Sequence, residues 1–165
     1  MSSKTFIASR AEMEQILRAE TVGYLGLSAG GLPYVVPLNY AYIDGKILFH
    51  CTFSGKKLDM LRANPQVCFT VGRQAGPVER HPQGAGCHAA FDSVICYGTA
   101  RIIEDLQERQ QVLNVFCHAL LPDAEEITRE DALRCYAVEI TISEMTGRQE
   151  REKECKYWQY RFEYD

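Results

Sequence analysis

Alternating apolar residues, hairpin-forming turns and only short helical insertions predict a mainly β protein, a small barrel or strongly curled sheet of six mostly antiparallel strands with three helices. The stretches GYLGLSA (23–29), LPYVVPLNYAYI (32–43) and KILFHC (46–51) are rich in β-branched and aromatic residues. Gly30-Gly31 and Asp44-Gly45 separate them, and Asp-Gly between apolar runs is among the strongest short hairpin signals. Strands do not alternate regularly with long crossover helices, which argues against a doubly wound parallel sheet.

Along the chain, Ser9-Arg10-Ala11-Glu12 has the S-x-x-E form of a capping box and predicts an N-terminal helix within residues 1–20, with Met13, Ile16 and Leu17 on one face. Three strands follow as an antiparallel meander. GKKLDMLRANP (55–65) reads as a short helix stopped by Asn64-Pro65, and VCFTVG (67–72) as the fourth strand. Residues 72–90 hold four glycines and two prolines without periodicity, which predicts a long loop of the functional or mobile kind. SVICYGTARII (93–103) reads as the fifth strand, with Gly98 marking a bulge. DLQERQQVLNVFCHALLP (105–122) places Leu106, Leu113, Phe116 and Leu120 on one helical face. YAVEITISEMTG (136–147) alternates as the sixth strand, and a charged, then aromatic tail covers 148–165.

A chain of 165 residues suits one domain over its whole length. The net charge of −4 argues against a general nucleic-acid surface, which needs a basic face. No apolar run approaches the roughly 20 residues of a membrane-spanning helix. MSSKTFIASR lacks the apolar segment of a secretory leader, so a cytoplasmic location is expected. The seven cysteines are odd in number and form no C-x-x-C pair, so they read as small core residues kept reduced, and neither a disulfide framework nor a zinc ribbon fits.

The chemistry-bearing feature is the Ser54-Gly55-Lys56-Lys57 join between a strand and a helix. Cations at a helix N-terminus oppose its partial positive charge and cost about a few tenths of a kcal/mol each. An anion reverses the balance. A phosphate there would accept from first-turn N–H groups, the Ser54 hydroxyl and the ammoniums, and charge-assisted hydrogen bonds contribute about 1.5–3 kcal/mol each. Gly55 leaves room for close backbone approach. The G-x-x-x-x-G-K-[ST] pattern is absent, so a nucleoside triphosphate loop is not expected. The alternative is a solvated surface turn.

The run Pro33-Tyr34-Val35-Val36-Pro37-Leu38-Asn39-Tyr40, then Leu48-Phe49-His50-Cys51-Thr52, then Gly55-Lys56-Lys57 and later Ser93-Val94-Ile95-Cys96-Tyr97-Gly98, resembles the flavin-binding split-barrel proteins related to pyridoxamine 5′-phosphate oxidase, most of all their nitroimidazole-resistance branch. The likeness spans roughly residues 20–145. It implies a homodimer of split β-barrels with FMN at the subunit interface and a small-molecule substrate. By position, Pro37, Leu38 and Asn39 would border the flavin ring. Cys51 and Thr52 would approach the ribityl chain or phosphate. Ser54, Gly55, Lys56 and Lys57 would hold the phosphate, and Ser93 would lie nearby. The family's oxidases carry Arg-Lys at the helix start where this chain has Lys-Lys, and their arginine-rich C-terminal segment has no match here, which argues against oxidation of pyridoxamine phosphate itself.

His50 is the candidate proton donor or flavin contact, with a hydrogen-bonded strand histidine as the alternative. Trp158, with Tyr157 and Tyr160, would either stack on a flavin from the partner subunit or pack the 148–165 tail onto the barrel or across the dimer interface. His81, Cys87 and His88 are too irregular to argue for a metal. The expected activity is an FMN-dependent oxidoreductase passing electrons to a small organic acceptor such as a nitroaromatic. The alternative is a non-catalytic flavin- or heme-holding protein of the same fold, with His50 or the loop histidines as axial ligands.

Overall fold

The computed structural model describes residues 3–7, 9–80, 82–84, 88–151 and 154–164. Nine strands and four helices are described. Strand β1 (Ser3–Ile7) precedes helix α1 (Ala11–Ala19), and β2 (Val22–Ala29), β3 (Leu32–Asn39), β4 (Ala41–Ile43) and β5 (Lys46–Cys51) follow. Next come α2 (Lys56–Ala63), β6 (Gln66–Glu79), β7 (His88–Ile103), α3 (Leu106–Leu120), α4 (Arg129–Ala132), β8 (Tyr136–Glu150) and β9 (Glu154–Arg161). The sheet runs β1-β9-β8-β7-β6-β2-β3, with β4 on β5 and β5 on β8.

The mainly β class stands, with more strands than the six predicted. The expected meander is two hairpins. Residues 32–43 break at Tyr40, so β3 pairs with β2 while β4 pairs with β5. Tyr40 is fully buried and its hydroxyl donates to the Leu17 carbonyl at 2.7 Å, so the chain turns inward there. Asp44 (φ 49°) and Gly45 (φ 80°) make the tight β4–β5 turn that their sequence signals. Residues 72–90 are mostly a hairpin arm: β6 continues to Glu79 opposite the start of β7, and the register is irregular between Gln74 and Val78, around Pro77. Glycine and proline are tolerated at such an irregularity, which hid the strand from a periodicity reading. His81 and Cys87 lie outside the described residues. The tail is strand β9, parallel to β1 and antiparallel to β8. Pairing supplied by distant strands, absent from any local pattern, makes both ends of the chain extended.

Helix α1 forms where expected, yet its N-cap is Arg10 and no side chain caps it. Glu12, the expected capping-box acid, instead accepts from Trp158 Nε1 at 2.6 Å. A tertiary hydrogen bond has displaced the local one. The only capping box among the described helices is Thr128 with Asp131 at α4.

Inward residues alternate along the strands, Leu25 and Leu27 in β2, Val67, Phe69 and Val71 in β6, and Val94 and Cys96 in β7. They form one core with Met13, Ile16 and Leu17 of α1 and Leu58, Met60 and Leu61 of α2. Smaller clusters around Leu113 and Phe116 seat α3 on the opposite face of β5 and β8. Cys51 and Cys96 are buried, and Cys68, Cys117 and Cys135 are partly buried free thiols.

Strand β8 is the shared member. One edge pairs with β7 along most of its length, while the other is divided between β5 at 136–141 and β9 at 144–150. At the division the β7–β8 register shifts between Tyr97 and Gly98, as Gly98 suggested. A Cβ on Gly98 would lie 2.3 Å from the Thr141 carbonyl oxygen, so only glycine fits this approach. Gly98→Ala is therefore expected to lower stability by about 1–3 kcal/mol in urea unfolding. Gly76→Ala, whose Cβ would make an ordinary 3.7 Å contact, serves as the near-neutral control.

Candidate functional site

Strand β5 ends at Cys51, and the chain crosses 52–55 before coiling into α2. Gly55 occupies the N-cap at φ 119°, a conformation that favours glycine, and no side chain caps the helix. The first helical bond runs from Asp59 N to Gly55 O at 3.1 Å, so the N–H groups of Lys56, Lys57 and Leu58 have no intrahelical acceptor. Thr52 Oγ1 donates to the Ser54 carbonyl at 2.8 Å and tightens the turn.

These residues surround a cavity of about 220 Å³ lined by Cys51, Thr52, Ser54, Gly55, Lys56, Lys57 and Leu58, with Tyr34 and Val36 of β3 as its far wall. Lys56 Nζ lies 4.8 Å from the Tyr34 ring centroid and Lys57 Nζ 5.4 Å from that of Phe49. Among the described residues neither ammonium pairs with a carboxylate, whereas Lys46, at the start of β5, pairs with Glu139 at 3.0 Å. Two unpaired cations, three N–H groups without helical acceptors and a glycine entrance with nothing within 4 Å of its missing Cβ fit a phosphate. Burial raises the Cys51 thiol above its ordinary range, against the opposing pull of Lys57, so Cys51 is a neutral wall of the cavity.

The other sequence-predicted residues lie elsewhere. In β3, Leu38 turns onto the core while Pro37 and Asn39 face outward beyond the cavity; Asn39 Nδ2 donates to the Thr21 carbonyl at 3.2 Å. His50 faces away from Cys51 because strand side chains alternate, and its ring packs on Phe116 of α3 at 5.5 Å. Ser93 lies three strands from β3, in a separate groove of about 490 Å³ with Ile95, Thr146, Arg148 and Tyr157. Trp158 borders that groove but is only 2% exposed, held between α1 and Gly147. It packs the tail onto the barrel, so within one chain it offers no face for a flavin. The sequence reading missed Tyr34 and Val36 as cavity walls; their alternation in β3 marks them as one face, but only the fold turns that face toward Lys56. Among the described residues no group of three potential metal ligands assembles, and no helix is long and apolar enough to cross a membrane.

A β-sheet split around a shared strand, with a small lysine-flanked cavity at the start of the helix after β5, defines the class of small split-barrel proteins. Residues 9–149 match the family described as pyridoxamine 5′-phosphate oxidase, and the chain belongs to that family. Among solved structures, a Bacteroides thetaiotaomicron protein named as a candidate 5-nitroimidazole antibiotic resistance protein is 25% identical with a TM-score of 0.75, covering 86% of this chain and 84% of that one. An FAD-binding protein from Mesorhizobium loti is 28% identical with a TM-score of 0.64, covering 86% and 93% respectively. A curated relative, an uncharacterized Rhizobium meliloti protein, is 28% identical over 93 residues, 50% of this chain and 61% of that protein's length.

His50 is exposed on one side and packed on Phe116 on the other; that partial burial, with a smaller contribution from Lys57, holds its pKa below the ordinary 6.5. The folded protein binds this proton more weakly than the unfolded chain. The stabilisation this brings is therefore present above about pH 6.5 and is lost as pH falls through the folded pKa. An NMR titration of His50 is expected to give a midpoint below 6.5 that rises in Lys57→Ala; a wild-type midpoint above 6.5 would contradict this electrostatic picture.

Proposed function

We propose that this chain is an FMN-binding oxidoreductase that acts as a homodimer and passes electrons to a small organic acceptor. The observation that carries the reading is the pair of ammoniums, Lys56 and Lys57, that face a cavity at an uncapped helix start and, among the described residues, pair with no carboxylate. A doubly negative phosphate monoester matches that charge and that size. The cavity, at about 220 Å³, is smaller than the roughly 300–1,000 Å³ of sites that enclose a whole ligand. It accommodates the phosphate end, and the ring system must lie outside it, along β3 toward Pro37 and Asn39.

That outward placement supports a second copy as the missing wall. The outer face of the sheet exposes Tyr24, Val35 and Tyr97, with Val35 63% exposed, and Ser93 lies on the same face. A twofold partner covering this face would give the flavin ring an apolar cover. Bound FMN supplies two-electron transfer between a donor such as a reduced nicotinamide and the acceptor. The chain's own residues anchor the phosphate, line the ring and exclude water. The likeness to the Bacteroides protein supports a nitroaromatic acceptor.

Purified protein is expected to be yellow or to take up FMN with quenching of flavin fluorescence. The Lys56→Ala/Lys57→Ala double substitution is expected to weaken FMN by at least about 100-fold, the loss of two charge-assisted contacts. Light scattering should give the mass of two chains. Oxidation of a reduced nicotinamide dependent on an added nitro compound tests catalysis, and a protein that takes up no FMN at all removes the proposal.

A further inference from the structure

The turn that presents the lysines is gripped at Phe53 by one aromatic ring, itself backed by one guanidinium. Tyr136 opens β8 directly opposite Cys51, the last residue of β5. Its ring meets Phe53, in the middle of the turn, edge to face at 4.6 Å and 81°. The Arg62 guanidinium, in the last turn of α2, lies 5.8 Å from the same ring. Tyr136 thus touches the chain just before α2 begins and again where it ends.

The base of this stack does not move freely. Arg109 of α3 is buried and its guanidinium lies 4.5 Å from the Tyr136 centroid and 5.5 Å from that of Phe53. Its Nε donates to the backbone carbonyl of Ile103 at 3.0 Å, Nη1 to that of Ala132 at 3.2 Å and Nη2 to that of Glu104 at 2.7 Å. The end of β7, the β7–α3 connection and α4 are thereby tied to one fixed planar cation. Phe53 itself remains 40% exposed, so burial alone does not explain its placement; the ring contact does.

We propose that Tyr136 is the positioning residue of the anion cradle, fixing through Phe53 and Arg62 the turn and helix that carry Lys56 and Lys57. This rests on the phosphate reading above. Without the ring, 52–55 gains freedom, and each phosphate contact must then offset the ordering of that turn. The consequence is specific to the phosphate: a ligand that lacks it gains nothing from an ordered cradle.

Titration of the full chain with FMN and with riboflavin, followed by fluorescence, separates these effects. Tyr136→Leu and Phe53→Ala are each expected to weaken FMN by about tenfold while leaving riboflavin within about twofold. Tyr136→Phe, which keeps the ring, should restore wild-type FMN affinity. Should Tyr136→Leu lose its folded circular dichroism, the exposed Phe53→Ala position decides. Variants that keep the wild-type preference for FMN over riboflavin, or that weaken both ligands equally, overturn the positioning role. A wild-type protein without any preference for FMN overturns instead the phosphate reading on which the role rests.

Discussion

The divided edge of β8 is the constraint on which the architecture turns. A strand has two edges, and β7 occupies one of them along most of its length. The other is shared end to end by β5 and β9, which precede and follow β8 in the sequence. The two cannot overlap, so the sheet forks near Ser143, whose hydroxyl donates to the Tyr97 carbonyl at 3.0 Å, while Phe162 N reaches the Ser143 carbonyl at 2.9 Å. Gly98 makes the fork possible because any side chain would strike the Thr141 carbonyl. From the fork, β5 runs along β8 to Cys51, opposite Tyr136, and the chain then crosses 52–55 into α2. The fork therefore decides where the helix N-terminus, and with it the lysine pair, comes to rest.

Charge placement within this frame separates structural from candidate functional ions. The buried carboxylate of Glu14 accepts from the Tyr42 hydroxyl and pairs with Arg10 and Arg18; that of Asp92, 1% exposed, pairs with Arg73 and Arg151. Desolvated carboxylates have been matched with cations, as burial requires. Lys56 and Lys57 are the contrary case, two cations set against the positive end of a helix, near the rings of Tyr34 and Phe49 and, among the described residues, without a paired carboxylate. A contact with the helix dipole that lowers stability in the empty protein would become favourable on arrival of an anion, which is what the proposed phosphate site requires.

Local signals made much of the fold legible. Alternation revealed the inward residues of β2, β6, β7 and β8, Asp44-Gly45 marked its hairpin and Asn64-Pro65 stopped α2 because proline disfavours helix before it. The strands that escaped notice were those whose extended form comes from partners far away in sequence: β1, β9 and the Gly- and Pro-containing arm of β6. The capping box at Ser9 failed for the same reason, since Glu12 found Trp158, 146 residues distant, a better partner.

The candidate site divides along the same line. The sequence by itself determined the cation pair, the glycine before it and the strand-to-helix join, because a helix start is a local event dictated by backbone propensities over a few residues. Only the tertiary structure decided that Tyr34 and Val36 wall the cavity, that His50 turns to α3, that Trp158 is sealed in the core and that Tyr136 and Arg109 brace the turn. Those assignments depend on which strand meets which and on the face each side chain takes once paired, and pairing across a forked sheet is set by the summed burial of the whole core, which no short window of residues contains.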